Sequence, residues 1–373
     1  MSADVARKSA IATRRRFLFA AGATGAATVA MPQVSAAQTV RWRIQSAWSP
    51  REVFHEFALD YAKKVDAMTG GRLKLDVAAA GSVVLPFQMS DAVHSGILDG
   101  GHGVAGLRYN KHKASALFGT PPSFGWDSHG FLAWFYYGGG EALYAELLGI
   151  LRLNLVGFLY FPMPTQPLGW FRKEIKSADD LKGLRYRIFG LSAEVFKALG
   201  ATVTMLPSGD IVAAMERGVL DATDSNNPAT DAQLGMPEVA KHYLMGSHHR
   251  QVEAFEIIFN KAKFDALLPE FKTILRQAAF SASSDQLWYA YARYSKDLDD
   301  IAKRGVTVGK TSPEVLQEQL MAWDRVIAEL SQETFFAKVI ASQKAWVKRT
   351  SAFLQTNNLD SNALSVAYRH YFG

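Results

Sequence analysis

One six-residue pattern occurs twice in the chain and constrains its fold more than any other feature. Residues 95–100 read SGILDG, and residues 217–222 read RGVLDA. Each copy follows an amphipathic helical stretch, at residues 90–95 and 208–217. A glycine just after a helix suits a left-handed cap, so we expect the apolar pair that follows it to start a buried strand. The repeat therefore predicts two similar α/β lobes.

Strand and helix patterns alternate along the rest of the chain. Strand patterns occur at residues 39–46, 72–78, 153–160, 184–188, 201–206 and 252–260. Helical patterns occur at residues 51–68, 88–97, 191–199, 264–294 and 312–332. Ser312 is expected to cap the last of these helices, with Pro313 at its first position. No low-complexity linker separates the lobes, so we expect several crossings, a hinge, and a cleft at the carboxyl ends of the strands, where α/β sheets bind ligands.

The first 37 residues have the layout of an export signal. A basic cluster precedes an apolar stretch at residues 17–31, and small residues follow it at 34–37. The stretch is too short and too rich in Ala and Gly to favour a membrane span. Residues 13–18 (TRRRFL) resemble the twin-arginine export motif, and an ordinary secretory signal with three arginines is the alternative. Either reading predicts a mature periplasmic protein that begins near Ala37 or Gln38.

Composition excludes several classes of protein. The chain has no cysteine, so it can form no disulfide, thiolate metal site or lipid-modified cysteine. Residues 1–37 carry five basic and one acidic side chain, which leaves a formal charge of only about +2 on the mature part of a chain whose total is +6. A charge this small gives no argument for nucleic-acid binding.

Two apparent cofactor-binding motifs have the wrong context or spacing, and two common catalytic motifs are absent from the sequence. Residues 101–106 (GHGVAG) match the dinucleotide pattern but follow a helix instead of opening one. Residues 305–311 (GVTVGKT) are one residue too short between the glycines for a phosphate loop, and a strand before the Ser312 helix explains them better. No H-E-x-x-H or G-x-S-x-G motif occurs among the nine histidines and the serines. We therefore expect no catalytic activity.

Residues 166–177 (QPLGWFRKEIKS) and 180–187 (DLKGLRYR) resemble the solute receptors of tripartite ATP-independent periplasmic (TRAP) transporters. The resemblance extends over nearly the whole mature chain, including residues 136–140 (YYGGG) and 218–222 (GVLDA), and is strongest to the branch that binds small 2-oxo acids. It implies a two-lobe α/β fold like that of type II periplasmic binding proteins, with a hinge and long C-terminal helices. It also implies capture of a small organic carboxylate for the membrane subunits of a transporter.

The resemblance transfers two binding residues to this chain. The arginine that ends the second motif forms a two-pronged salt bridge to the ligand carboxylate in that family, and here it is Arg187. A guanidinium fork matches a carboxylate, although Arg187 could instead pair with a structural Asp such as Asp180 or Asp221. Gln166 corresponds to a glutamine that touches both ligand and cation in the 2-oxo-acid branch, and the alternative is a solvated loop amide.

Three positions depart from that branch. Asp224 and Ser225 stand where Glu and Trp are expected, and Arg250 stands where a second Glu would complete a metal site. A cation such as sodium, held by Gln166 and Asp224 alone, would lack ligands. The Arg250 guanidinium either replaces the cation as a second positive partner of the ligand, or lies on the cleft rim, solvated or paired with Glu253.

Other residues are candidates for ligand contact. Asn226 and Asn227 could donate to a hydroxyl or keto oxygen, while Trp48 and Tyr109 are candidates from the first lobe, with core packing as the alternative for both aromatic residues. The ligand could be a 2-oxo acid, a hydroxy acid, a dicarboxylate or an aromatic acid. Two rival functions remain open, namely a periplasmic enzyme that acts on carboxylates and a receptor that reports to a sensor.

The expected organisation has four parts. Residues 1–37 form the signal peptide, residues 38–164 with 253–290 the first lobe, residues 165–252 with 291–332 the second lobe, and residues 333–373 a C-terminal helical extension. An apolar face continues along the last helices through Leu316, Leu320, Trp323, Ile327, Leu330, Phe336, Ile340 and Val347. These helices could pack back on their own lobes or form a homodimer, as the resemblance implies.

Overall fold

The computed structural model describes residues 39–224, 226–358 and 360–372. The predicted signal peptide and Ser225 therefore lie outside the described residues. The strands are β1 (Val40–Ser46), β2 (Leu73–Ala78), β3 (Gly100–Gly103), β4 (Leu155–Met163), β5 (Gly169–Phe171), β6 (Arg185–Arg187), β7 (Thr202–Thr204), β8 (Ala222–Thr223), β9 (His242–Met245), β10 (Glu253–Asn260) and β11 (Thr307–Lys310).

The helices surround these strands. They are α1 (Val53–Met68), α2 (Met89–His94), α3 (Ser128–Tyr137), α4 (Gly140–Ile150), α5 (Ser192–Ala198), α6 (Ile211–Glu216), α7 (Pro228–Leu234), α8 (Met236–Val239), α9 (Lys261–Asp265), α10 (Pro269–Lys303), α11 (Pro313–Leu330), α12 (Thr334–Asn357) and α13 (Ser361–Phe372). Within the described ranges, none of them is both long and apolar enough to cross a membrane.

Two sheets form the cores of two lobes, which confirms the predicted two-lobe α/β fold. The sheet of lobe I has the strand order β2-β1-β3-β10-β4, and the sheet of lobe II has the order β11-β9-β5-β8-β6-β7. In lobe I, β1 pairs in parallel with β2 and β3, while β10 runs antiparallel to β3 and β4. In lobe II, β6 pairs in parallel with β7 and β8. The orders β2-β1-β3 and β7-β6-β8 are therefore equivalent.

The six-residue repeat forms the same local structure in both lobes. Asp99 of lobe I donates its backbone N–H to the carbonyl of Arg43 and accepts the Arg43 N–H at 2.6 Å. Asp221 of lobe II makes the same pair of contacts with Arg185, whose N–H lies 3.1 Å from the carboxylate. Each aspartate therefore ties the start of one parallel strand to the neighbouring strand.

The glycine of each repeat also has the predicted conformation. Gly96 and Gly218 have φ angles of +81° and +68°, in the left-handed region that favours glycine. The apolar pairs after them do not start the strands, which contradicts the prediction. Leu98 and Leu220 are fully buried, but β3 begins only at Gly100 and β8 at Ala222, because the aspartate contacts come between the apolar pair and the strand.

The chain crosses between the lobes several times in the described residues. It crosses at residues 164–168 and 246–252, and again along the 35-residue helix α10, which packs on β4 and α1 of lobe I and on α7 of lobe II. The C-terminal helices add a further crossing. Trp323 of α11 donates to the His248 carbonyl at 2.8 Å, whereas Gln343 of α12 donates to the Leu117 carbonyl at 2.8 Å.

Helices α3 and α4 were not anticipated from the sequence. Both are rich in large apolar residues, and Phe131, Trp134, Phe135 and Leu147 are completely buried. A helix with apolar residues on most of its sides lacks the alternation of apolar and polar faces on which periodicity depends. The predicted helix at 264–294 begins instead at Pro269, which occupies the first helical position.

Candidate functional site

A cavity of about 340 Å³ lies between the two lobes. Its lobe I wall is mainly apolar, and its lobe II wall carries most of the polar groups. Lobe I, including the start of β10, contributes Ala47, Trp48, Ser49, Glu52, Phe54, Ala80, Gly81, Leu85, Pro86, Phe87, Val104, Leu107, Glu253 and Phe255. Lobe II contributes Arg187, Phe189, Pro207, Ser208, Gly209, Asp210 and Asn226. The equivalent loops that follow β2 and β7 thus face the same space.

Arg187 is the only guanidinium that lines this cavity among the described residues. It ends β6 and is 6% exposed. Its Nε and Nη2 donate to the Leu206 carbonyl at 2.9 and 2.6 Å, and its Nη1 donates to Asp224 Oδ1 at 2.6 Å. A guanidinium has five N–H donors, so these contacts leave one N–H on each terminal nitrogen. That pair matches the two oxygens of a carboxylate.

Asp224 lies behind Arg187 and is shared by two guanidinium groups. Its Oδ2 forms an ion pair with Nη1 of Arg250 at 2.8 Å, and all three side chains are buried. Arg250 Nη2 donates to the Phe189 carbonyl at 2.7 Å, and the Arg250 guanidinium lies 4.2 Å from the centre of the Phe189 ring. The cluster of Arg187, Asp224 and Arg250 carries a formal charge of +1, because arginine stays protonated in proteins.

Glu253 completes this buried layer at the start of β10. Its carboxyl group accepts a hydrogen bond from the Gln166 amide, while Gln166 Oε1 lies 3.4 Å from Arg250 Nη1. Burial raises the pKa of Glu253 to about 7, against the opposing attraction of Arg250. Asp224 adds to the rise, since a second negative charge nearby disfavours ionisation of Glu253.

The sequence matches one protein family over most of its length. The family model described as bacterial extracellular solute-binding protein, family 7, matches residues 44–335. A monocarboxylate 2-oxoacid-binding periplasmic protein of Nostoc sp. is 31% identical over 357 residues, which cover 95% of this chain and 96% of that protein. The chain belongs to the TRAP solute-binding protein family.

Two solved TRAP receptors share the fold. One from Bordetella bronchiseptica, a dimer with copurified calcium and picolinate, has a TM-score of 0.84 and 27% identity, and the match covers 90% of this chain and 98% of that chain. One from Pseudoalteromonas atlantica, with bound sodium and pyruvate, has a TM-score of 0.81 and 28% identity, with 90% and 100% covered. Members of the family are solute receptors, which agrees with the expectation that this chain is not an enzyme.

The structure brings most of the candidate residues together, at different depths. Trp48, Arg187 and Asn226 line the cavity, whereas Gln166, Asp224 and Arg250 form the layer behind it. Arg250 is 1% exposed, which contradicts its placement on the cleft rim. Gln166 is equally buried, which contradicts the alternative of a solvated amide.

Two further candidate residues, Tyr109 and Asn227, do not line the cavity. Tyr109 does not line the cavity, because its hydroxyl donates to Glu194 of α5 at 3.0 Å and so links the two lobes. Asn227 accepts the Thr230 N–H at 2.9 Å and caps α7, so its side chain is committed to the helix. Ser225 lies outside the described residues.

Arg187 has a different acidic partner from those considered in the sequence. Asp221 pairs with Arg185, and Asp180 accepts the N–H groups of residues 176 and 177, so neither is available to Arg187. Glu253 was considered only as a partner of Arg250 on the rim. Glu253, the buried first residue of β10, is therefore one residue of the site that sequence reasoning missed.

The proposed cation site of Gln166 and Asp224 does not fit a metal ion. Both Asp224 oxygens contact guanidinium groups, and Arg250 Nη1 lies within 3.4 Å of the Gln166 oxygen as well. Among the described residues, no group of three or more His, Cys, Asp or Glu side chains could hold a metal. A cation about 4 Å from one guanidinium would be repelled by roughly 4 kcal/mol at an effective dielectric of 20.

The buried acid predicts a pH dependence of stability. Since the pKa of Glu253 is raised from 4.5 to about 7 in the folded protein, its contribution is complete below about pH 4.5 and is lost as pH rises to about 7. Over this window, we expect the wild type to lose on the order of 3 kcal/mol of unfolding free energy relative to Glu253→Gln. Urea unfolding of both proteins at several pH values measures this difference, and parallel curves would contradict it.

Proposed function

We propose that this receptor captures a small monocarboxylate, with a 2-oxo acid or a related acid favoured, and delivers it to TRAP membrane subunits. The support comes from Arg187, which lines the cavity and whose three hydrogen bonds leave one further N–H on each terminal nitrogen. At pH values below about 7, where Glu253 is neutral, the charge of +1 on the Arg187, Asp224 and Arg250 cluster balances one ligand carboxylate. The 2-oxo acid is favoured by the Nostoc relative, whose name describes it as a monocarboxylate 2-oxoacid-binding protein.

In this proposal Arg250 takes the place of a bound cation. Its Nη1 contacts both Asp224 and Gln166, and Asp224 separates its guanidinium from that of Arg187. Relatives with bound sodium or calcium recruit an ion, whereas a tethered guanidinium needs no recruitment. The buried charge of Arg250 would therefore strengthen binding of the carboxylate whichever cations are present in solution.

The place of action follows from the family and from the N-terminal residues. TRAP solute-binding proteins are periplasmic and work with membrane subunits. For this chain, export by the twin-arginine route and cleavage near Ala37 rest on the sequence of residues 1–37 alone. The four-part division of the chain is also proposed, and it is supported by the two sheets, whose strands come from the segments assigned to each lobe.

Replacement of Arg187 tests the proposed function. Arg187→Ala leaves a desolvated carboxylate without a partner, which costs roughly 2 to 5 kcal/mol of binding free energy, and Arg187→Lys should cost less because it keeps the charge. Calorimetry with pyruvate measures both. Arg185→Ala, two residues away on β6 and 47% exposed in its side chain, is the matched control and should bind like the wild type. An Arg187→Ala affinity within threefold of the wild type would contradict the assignment.

Ion dependence tests the role of Arg250. We expect ligand affinity to stay unchanged when a chelator is added, or when sodium is replaced by potassium or choline at constant ionic strength. Arg250→Glu should abolish binding or make it depend on added metal, since it places a second carboxylate beside Asp224 and Gln166. A tenfold loss of wild-type affinity on chelation or sodium removal would show that an ion is required after all.

We also propose that the receptor forms a homodimer, through a different surface from the one first expected. Trp323, Ile327, Phe336, Ile340 and Val347 are buried within the chain itself, so that face packs on its own lobes. Helix α13 is different, because Leu364, Tyr368, Tyr371 and Phe372 lie on one face and are 56% to 76% exposed. We assign this face to a second copy of the chain, and the Bordetella bronchiseptica receptor is a dimer.

Removal of that face should dissociate the dimer. We expect sedimentation velocity at micromolar concentration to show a dimer for the mature chain and a monomer for Leu364→Glu combined with Tyr368→Glu. Asn362→Glu, on the same helix and outside the apolar face, adds charge as a control and should leave the dimer intact. A wild-type monomer at this concentration would refute the proposal.

A further inference from the structure

The basic and acidic side chains that line the cavity are unequal in number. Within the described ranges, Arg187 is the only basic residue in the wall, whereas Glu52, Asp210 and Glu253 are acidic. Glu52 and Glu253 are at most 4% exposed, but Asp210 is exposed to solvent. A ligand with one carboxylate therefore finds one cationic partner here, and a second carboxylate finds an acid instead.

The Asp210 carboxylate has no structural partner among the described residues. It stands at the N-cap position of α6, where an aspartate side chain often accepts a backbone N–H. Here the side chain makes no such bond, and it forms no ion pair within the described part of the chain. The negative charge of Asp210 is therefore not neutralised by the fold.

The backbone fixes the position of this carboxylate relative to Arg187. Residues 207–210 line the cavity and directly follow Leu206, whose carbonyl accepts two N–H groups of Arg187 at 2.9 and 2.6 Å. The Asp210 N–H donates to the Pro207 carbonyl at 3.1 Å, which folds the segment into a turn. Asp210 thus lies on the segment that Arg187 itself anchors.

The size of the cavity keeps any ligand group close to Asp210. A sphere of 340 Å³ is about 9 Å across, which is close to the Debye length of about 8 Å at physiological ionic strength. A charge inside the cavity is therefore only partly screened from the Asp210 carboxylate. The ligand carboxylate at Arg187 is balanced by the positive cluster, but a second carboxylate at the other end of the ligand is not.

The rest of the wall does not compensate a second negative charge. The backbone N–H groups of residues 210 and 211 already donate to carbonyls of the same turn. Ser208 and Asn226 supply neutral polar groups, and the lobe I wall is mainly apolar. A carboxylate that leaves water without a cationic partner is costly, so desolvation and repulsion by Asp210 act in the same direction.

We propose that Asp210 is a specificity-determining residue, which excludes ligands that carry a second carboxylate at the end remote from Arg187. This inference rests on the proposed function, because it takes Arg187 as the partner of the first carboxylate. The sequence alone is compatible with a dicarboxylate, and Asp210 is the feature of the cavity that selects against one.

Two five-carbon acids that differ only at one end test this selection. 2-Oxovalerate and 2-oxoglutarate share the 2-oxo acid head group, but the remote end is a methyl group in the first and a carboxylate in the second. By calorimetry on the mature protein, we expect 2-oxoglutarate to bind about a hundredfold more weakly than 2-oxovalerate. Equal affinities for the wild type would overturn the proposal and leave the carboxylate receptor standing.

Variants of Asp210 test the residue. Asp210→Asn removes the charge and should tighten 2-oxoglutarate binding about tenfold, and Asp210→Lys should tighten it further because it supplies a cation. The affinity of Asp210→Asn for 2-oxovalerate should change by less than about threefold, since that ligand has no remote charge. Glu216→Gln is the matched control, because it removes the same charge from an exposed position on α6 outside the cavity, and it should change neither affinity.

The outcomes separate this proposal from the proposed function. If Asp210→Asn and Asp210→Lys bind 2-oxoglutarate no better than the wild type does, or if Glu216→Gln improves it equally, Asp210 is not the selecting residue. Thermal melting without ligand shows whether each variant is folded, and either Asp210 variant provides the test should the other unfold. If neither acid nor pyruvate binds the wild type, the proposed function itself fails.

Discussion

The site depends on the sharing of Asp224 between Arg187 and Arg250. A single guanidinium beside a buried aspartate would be neutralised and would have little attraction left for a ligand. The second guanidinium restores one positive charge to a cluster that is almost wholly removed from water. Each buried charge has a partner, as the cost of desolvation requires, and the unmatched charge is the one that a carboxylate supplies. Stability and ligand binding thus draw on the same ion pairs.

The two lobes use equivalent positions for different purposes. Gln45 near the end of β1 in lobe I occupies the position that Arg187 occupies at the end of β6 in lobe II. Gln45 is fully buried and holds the loop after β2 through the backbone of Val83 and Val84. Arg187 similarly holds the backbone after β7 through Leu206 but keeps two N–H groups for the cavity. The same local arrangement therefore holds a loop in lobe I and positions the proposed binding residue in lobe II.

Local sequence patterns predicted the strands at residues 39–46 and 184–188, since such patterns depend on residues close together in the chain, whereas the role of Arg187 was implied by the family resemblance. The environment of Arg250 could not be predicted in this way. Its burial depends on the crossing segments 164–168 and 246–252, which meet through a bond from the Gln166 N–H to the Arg250 carbonyl at 3.2 Å. The contact between these two segments also buries Glu253, which is 87 residues away from Gln166 in the sequence. Contacts of this separation leave no periodic signal in a single sequence.

The division of the walls explains how ligand capture can close the cleft. In the proposed function, lobe II holds the carboxylate, while the exposed lobe I side chains Leu85 and Phe87 gain burial when a ligand fills the cavity. Gln166 and Arg250 lie in the crossing segments 164–168 and 246–252, and Glu253 directly follows the second of them, so the charge cluster is attached to the parts of the chain that join the lobes. In the proposed function, a carboxylate bound to Arg187 would act on these crossing segments through Asp224, and the apolar part of the ligand would contact the lobe I wall.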